Sequence, residues 1–145
     1  MYRKSLDFAR RGVLVASISA IDIAIWDIKG KLLNMSVGEL MGGVHRNKIT
    51  PYATGMYFTD KNNPTKDYKY EAEKYMNKGF KAIKMKVGLG IKEDIKNVKY
   101  LRSIIGDDIK LMIDSNHAYN FNEAVELSTK LEPYDISWFE EPISP

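Results

Sequence analysis

The sequence predicts an α/β protein built on a parallel sheet, and three apolar runs that end in charge predict it. Ala82-Ile83-Lys84-Met85-Lys86-Val87 alternates strictly, placing Ile83, Met85 and Val87 on one face and Lys84 and Lys86 on the other. Leu111-Met112-Ile113-Asp114 ends in one carboxylate, and Ile136-Ser137-Trp138-Phe139-Glu140-Glu141-Pro142 ends in two. Lys86 precedes Asp114 by 28 residues and Asp114 precedes Glu140 by 26, about one strand–helix–loop unit each time. Neighbouring parallel strands would bring these ends to one rim, where α/β folds bind their ligands.

A chain of 145 residues is long enough for one ordinary domain with a real core. Its formal net charge is only +3 and no basic run is interleaved with aromatics, which argues against a nucleic-acid partner. Without cysteine there is no disulfide framework and no thiolate metal site, as in an intracellular protein. Arg3, Lys4, Arg10 and Arg11 ahead of the apolar run 12–21 loosely resemble a signal peptide. Asp22 and Asp27 interrupt the apolar pattern, however, and the run has no clean small-residue cleavage site before it becomes an amphipathic helix. The same aspartates argue against a membrane span. The expectation is a soluble, cytoplasmic protein.

Taken in order, Ile18, Ile21, Ile25, Ile28 and Leu32 recur at spacings of three and four, one side of a well-buried helix over 14–33. Ala16, Ala20 and Ala24 add a row of small residues. A short helix follows from Ser36, its cap, to Met41, stopped by Gly42-Gly43. Residues 1–45 thus look like a helical tail of a larger α+β region, and 46–145 like a separate domain. Ile49 to Thr54 is the first strand, at an edge because it contains Pro51. A polar loop with Asn62, Asn63 and Pro64 starts a helix that carries Tyr68, Ala72, Tyr75 and Met76 on one face and stops at Gly79. After the Lys84 strand, a helix from Ile91 buries Ile95, Val98, Leu101 and Ile105 and ends at Gly106. After the Asp114 strand, Asn122 caps a helix with Ala124, Leu127 and Leu131 inward, closed by Pro133. The last strand runs from Ile136 to Glu140.

Strict strand–helix alternation argues for a parallel sheet with right-handed crossovers. An open doubly wound sheet and half of an eight-stranded barrel fit this count equally. An open sheet, covered by helices on both sides, should be apolar on both faces. Lys84 and Lys86 on one face therefore lean the reading towards a barrel wall.

Lys84-Met85-Lys86, Asp114-Ser115-Asn116 and Trp138-Phe139-Glu140-Glu141-Pro142, in this order and at these spacings, resemble the enolase superfamily, in its mandelate racemase/muconate lactonizing branch. The segment Ser19 to Lys31 and Leu40-Met41-Gly42-Gly43 is similar to the end of that family's capping domain. The resemblance implies a partial TIM-like (β/α) barrel of about four parallel strands, preceded by helices of an α+β capping domain. It implies abstraction of the proton α to a carboxylate, through an enediolate held by Mg²⁺. Lys86 is then similar to the acid/base at the end of the second barrel strand. Lys84 is its partner, lowering that amine's pKa by like-charge repulsion and touching the substrate carboxylate. Asp114 and Glu140 resemble two of three Mg²⁺ ligands, and Asn116 meets the substrate or the metal shell. A carbon acid beside a carboxylate is very weak, and a hard cation on the carboxylate oxygens offsets the charge that deprotonation adds.

The family's third metal carboxylate, its Asp–His pair and four further strands have no counterpart in these residues, so a fragment is expected that dimerises or pairs with a complementary half-barrel. The expected substrate is a hydroxy acid or sugar acid, with dehydration preferred over racemisation, epimerisation or cycloisomerisation. A non-catalytic, assembling half-barrel is the other reading. Glu141 is expected to face away from Glu140 as a structural residue. His117 reads as a loop histidine, because dehydratases of this superfamily that place a His after the metal Asp have it at the position of Asn116. His45 reads as solvated, and Tyr68, Tyr75, Trp138 and Phe139 as core.

Overall fold

The computed structural model describes residues 1–5, 11–60 and 63–145; Arg10 of the basic N-terminal group and Asn62 of the polar loop lie outside them. The chain divides into two compact units, Met1–Ile49 and Thr50–Pro145.

The first unit contains α1 (Tyr2–Ser5), α2 (Val13–Leu33) and α3 (Val37–Leu40). Helix α2 stops at Asn34, which is left-handed at φ 52° and donates its N–H to the Gly30 and Lys31 carbonyls. Gly30 is buried beneath this turn, and a Cβ there would lie 2.8 Å from the Met35 carbonyl oxygen. Ser36 then caps α3 as expected: its Oγ accepts from Glu39 N at 3.2 Å while Glu39 accepts from Ser36 N at 2.7 Å. The burial expected for α2 is not observed. Ile21, Ile25, Ile28 and Leu32 are exposed and Ile18 is half-buried. Within this unit α1 and α3 are single turns of four residues each, too short to cover a helix of 21.

In the second unit four strands, among the described residues, form one parallel sheet in the order of the chain: β1 (Ala53–Gly55), β2 (Ala82–Lys86), β3 (Lys110–Asp114) and β4 (Ile136–Glu140). Helices α4 (Tyr68–Asn77), α5 (Ile91–Ile105) and α6 (Phe121–Leu131) connect them. Strand β1 is shorter and later than the expected 49–54. Pro51 has no N–H to give a ladder, and Ile49 is exposed rather than paired. Beyond β1 the chain turns at Met56, buried and left-handed at φ 54°, whose N–H donates to Glu71 of α4 at 2.6 Å. Pro64 lies in a turn ahead of α4 instead of in its first helical turn. Helix α6 is capped by Asn120, not Asn122: Asn120 Oδ1 accepts from Glu123 N, and Glu123 accepts from Asn120 N, both at 3.0 Å.

The two sheet faces differ in chemistry. Ile83, Met85, Leu111 and Ile113 pack with Ala72, Val98, Leu101 and Leu127 from all three helices in one core. The opposite face carries Thr54, Lys84, Met112 and Trp138 in register, one from each strand. A doubly wound sheet would carry helices on both faces and reverse its strand order once. Neither occurs among the described residues of this unit, so the sheet is a segment of barrel wall, as the lysine face suggested. Trp138 departs from the core position expected of it: it is 45% exposed on the inner face and meets Tyr52 edge-on at 5.4 Å.

Candidate active site

Register alone assembles the rim. Lys86 pairs with Asp114 across β2 and β3, and Asp114 pairs with Glu140 across β3 and β4. These are last residues of their strands, so period-two alternation points all three side chains to the inner face with Lys84 one layer below.

The sheet brings every residue singled out at the rim together. Lys84 Nζ donates to Glu140 at 2.6 Å and lies 3.4 Å from Asp114 Oδ2. Lys86 Nζ donates to the same Asp114 Oδ2 at 2.7 Å and to Asn116 Oδ1 at 2.6 Å. Asn116 N returns a hydrogen bond to Asp114 Oδ1 at 3.1 Å. The lysines lie over aromatic rings, Lys84 over Tyr52 at 5.5 Å and Lys86 over Tyr57 at 5.7 Å. Beside Lys86 opens a cleft of about 300 Å³ lined by Tyr57, Phe58, Gly88, Ser115 and Asn116.

The two lysines were expected to act on each other by repulsion. In the structure a carboxylate comes between them, because Asp114 stands in register with Lys86 and within reach of Lys84. Burial pushes the Lys84 amine down, but hydrogen bonds to Glu140 and Asp114 outweigh it and hold the pKa above the usual lysine value. Asp114 is 2% exposed; burial pushes its carboxyl up, yet the Lys86 ammonium and the Asn116 N–H hold it below its ordinary 3.8. Ionised Asp114 therefore adds stability above its ordinary pKa, and that contribution is lost as pH falls through the lowered one. Lys84 adds stability below its ordinary 10.5, lost as pH rises through its raised value. In chelator-treated protein, Asp114→Asn should lower the urea midpoint at neutral pH and flatten its fall below about pH 4. A variant whose midpoint still falls as steeply as wild type would show that Asp114 does not drive that limb.

Glu141 does not face away. Strand β4 ends at Glu140, Glu141 is left-handed at φ 45°, and its carboxylate swings to the rim, accepting from Asn116 Nδ2 at 2.9 Å. His117, also left-handed at φ 64°, is a loop histidine: its Nδ1 lies 3.0 Å from the Ile143 carbonyl oxygen and its Nε2 3.6 Å from Glu141. His45 is exposed in the first unit.

Asp114 and Glu140 have the donor chemistry of a hard divalent cation. Both already converge on one positive charge, the Lys84 ammonium, at 3.4 and 2.6 Å. Among the described residues no three His, Asp or Glu side chains cluster as a full set of metal ligands. Mg²⁺ commonly takes one or two carboxylates and fills its shell with water and substrate oxygens, so the pair fits it.

Sequence reasoning passed over two buried charged groups of α5. Asp94 is wholly buried and accepts from Gly88 N at 2.6 Å, Leu89 N at 3.2 Å and the Tyr119 hydroxyl. Arg102 is 9% exposed and donates only to backbone carbonyls. Asp94 stands in phase with Val98, Leu101 and Ile105, and a charged residue at a core position was the available signal.

No helix among the described residues is long and apolar enough to cross a membrane. Residues 67–145 match the family described as enolase C-terminal domain-like, and residues 1–42 match the mandelate racemase/muconate lactonizing enzyme N-terminal domain. Arabinonate dehydratase of Saccharolobus solfataricus is 42% identical over 99% of this chain and 38% of its own length. The crystal structure of the 3,6-anhydro-D-galactonate cycloisomerase from Zobellia galactanivorans is 58% identical with a TM-score of 0.89, covering 99% of this chain and 39% of that one. A racemase from Streptomyces coelicolor with bound magnesium is 38% identical with a TM-score of 0.86, covering 99% of this chain and 42% of that one. This chain thus spans about two fifths of the length of the proteins it resembles.

Proposed function

Because the chain belongs to the mandelate racemase/muconate lactonizing enzyme branch of the enolase superfamily, we propose that the complete protein removes the proton α to the carboxylate of a sugar acid, with Lys86 as the base. The observation that carries this reading is the convergence of Lys86, Asp114, Asn116 and Glu140 at the ends of three registered parallel strands. Lys84, held protonated by its carboxylate partners, supplies a fixed positive charge for the substrate carboxylate. Asn116 holds the Lys86 amine through its Oδ1 and aims it along the cleft. Tyr57 and Phe58 wall that cleft and restrict water beside the amine. Asp114 and Glu140 would hold Mg²⁺, which when bound supplies positive charge to offset what builds on the carboxylate oxygens. Glu140→Gln is expected to weaken Mg²⁺ binding by more than about tenfold in equilibrium titration; unchanged binding would remove Glu140 from the set.

Dehydration and ring opening share the same first step. Once the α-proton is gone, the electron pair expels oxygen from the β-carbon, as water from a free hydroxyl or as the alcohol of an ether ring. Both give a 2-keto acid after the enol tautomerises. The 58% identity to an anhydrogalactonate cycloisomerase favours ring opening of an anhydro sugar acid, and the 42% identity to arabinonate dehydratase favours loss of water from an aldonate. The test is incubation of the complete protein with Mg²⁺ and both substrate classes, with semicarbazide trapping and mass measurement. A trapped keto acid of unchanged mass supports ring opening, and one lighter by a water supports dehydration. Exchange of the α-proton for solvent deuterium without a keto acid points to racemisation, and no exchange with any sugar acid sinks the proposal. The open edge of β4 would be covered by further strands of the complete protein, by a second copy or by a complementary half-barrel.

A further inference from the structure

The geometry points to a buried clasp, Asp94 with Tyr119, as a positioning pair for the reaction proposed above, setting the β2–α5 loop against the β3–α6 loop and so the meeting of Lys86 with Asn116. Asp94, in the first turn of α5, takes the Gly88 and Leu89 amides at 2.6 and 3.2 Å. That much ties down its own loop, and a helix start needs no more. The third donor is different. The Tyr119 hydroxyl reaches it from the neighbouring loop, 25 residues along the chain, and both partners are buried.

The clasp sits directly behind the rim. Gly88 follows Lys86 by two residues and Tyr119 follows Asn116 by three, while Lys86 and Asn116 meet at 2.6 Å. The two loops touch: a Cβ on Gly88, left-handed at φ 121°, would lie 2.8 Å from Ala118 Cβ and 3.3 Å from the Ser115 carbonyl oxygen. Tyr119 N also donates to the Pro142 carbonyl at 3.3 Å, which carries the tie to the chain after β4. A buried carboxylate whose three partners are all neutral donors costs stability where a hydrophobic residue would not. Such a group has a use where it fixes the relative height of two loops, because displacement of a catalytic group by about 1 Å can cost on the order of a hundredfold in rate.

The experiment compares Tyr119→Phe and Asp94→Asn with wild type in the complete protein. Tyr119→Phe keeps the ring and removes one O–H, so it preserves the core if Asp94→Asn does not fold. Two readouts are taken. The first needs no substrate: the NMR resonance of the Asn116 side-chain amide and the hydrogen exchange of the Gly88 and Leu89 amides. The second is turnover of the sugar acid. We expect a shifted Asn116 resonance, faster exchange at Gly88 and Leu89, and kcat lower by about tenfold to a hundredfold with KM within about twofold of wild type. A variant that melts earlier but keeps kcat and the Asn116 resonance makes the clasp a stabilising contact only and overturns the inference. Lost kcat with an unmoved Asn116 resonance overturns it too. If wild type turns over no sugar acid, the functional proposal fails, and the clasp stands or falls on the Asn116 resonance alone.

Discussion

Lys86→Ala should abolish exchange of the substrate α-proton, by at least about a thousandfold, while leaving Mg²⁺ binding at or above the wild-type level. A positioned base is worth about 10²–10⁴ in rate. The neighbouring amine cannot replace it, because Lys84 is held protonated against Glu140 and Asp114. The fold should survive: Asp114 loses its 2.7 Å partner but keeps Lys84 at 3.4 Å and the Asn116 N–H at 3.1 Å. Removing the Lys86 ammonium also removes a competitor for Asp114 Oδ2, hence the expectation for Mg²⁺. The measurement is α-proton loss in deuterated solvent alongside metal titration of the same preparation. Retained exchange would show that another group is the base, and lost metal binding would mean that Lys86 shapes the carboxylate pair.

Arg102→Leu should destabilise the protein by roughly 3–5 kcal/mol, the largest stability effect expected of a single polar side chain here. Its guanidinium donates to four carbonyls: Tyr134 at 3.0 and 2.8 Å, Asp135 at 3.1 Å, and Gly106 and Ile109 at 2.8 Å each. Those carbonyls belong to the end of α5, the approach to β3 and the turn before β4, where Asp135 is left-handed at φ 46°. One planar fork therefore fastens the rim opposite the candidate site. Arg102→Lys should recover little, since an ammonium offers three donors without the fork. Urea denaturation reads the effect, and a loss below about 1 kcal/mol would mean that water satisfies these carbonyls unaided.

What could be read from the sequence was what strand periodicity carries. Alternation fixed the faces of β2, and even spacing predicted that Lys86, Asp114 and Glu140 would meet. Periodicity describes a face without naming what lies against it, which is why α2 was expected to be buried although the described residues of its unit hold no other helix long enough to cover it. Only the apolar residues of α5 were used to place its buried face, so Asp94 and Arg102 went unseen despite Asp94 keeping phase with Val98, Leu101 and Ile105. The cap of α6 was legible: Asn120 and Glu123 stand at capping-box spacing, a stronger signal than Asn122 alone. Glu141 could not be read, because alternation holds only while the strand lasts, and the strand ends one residue before it.

Pairing of each strand with the next one in the chain bears on how the protein comes to be folded. Among the described strands every partnership closes a segment of one strand–helix unit, so the entropy of closure is the same modest sum each time. Strands emerging from a ribosome could join the sheet in the order of their synthesis. The newest strand would then always be an unpaired edge, open to pairing with another nascent chain until its successor docks.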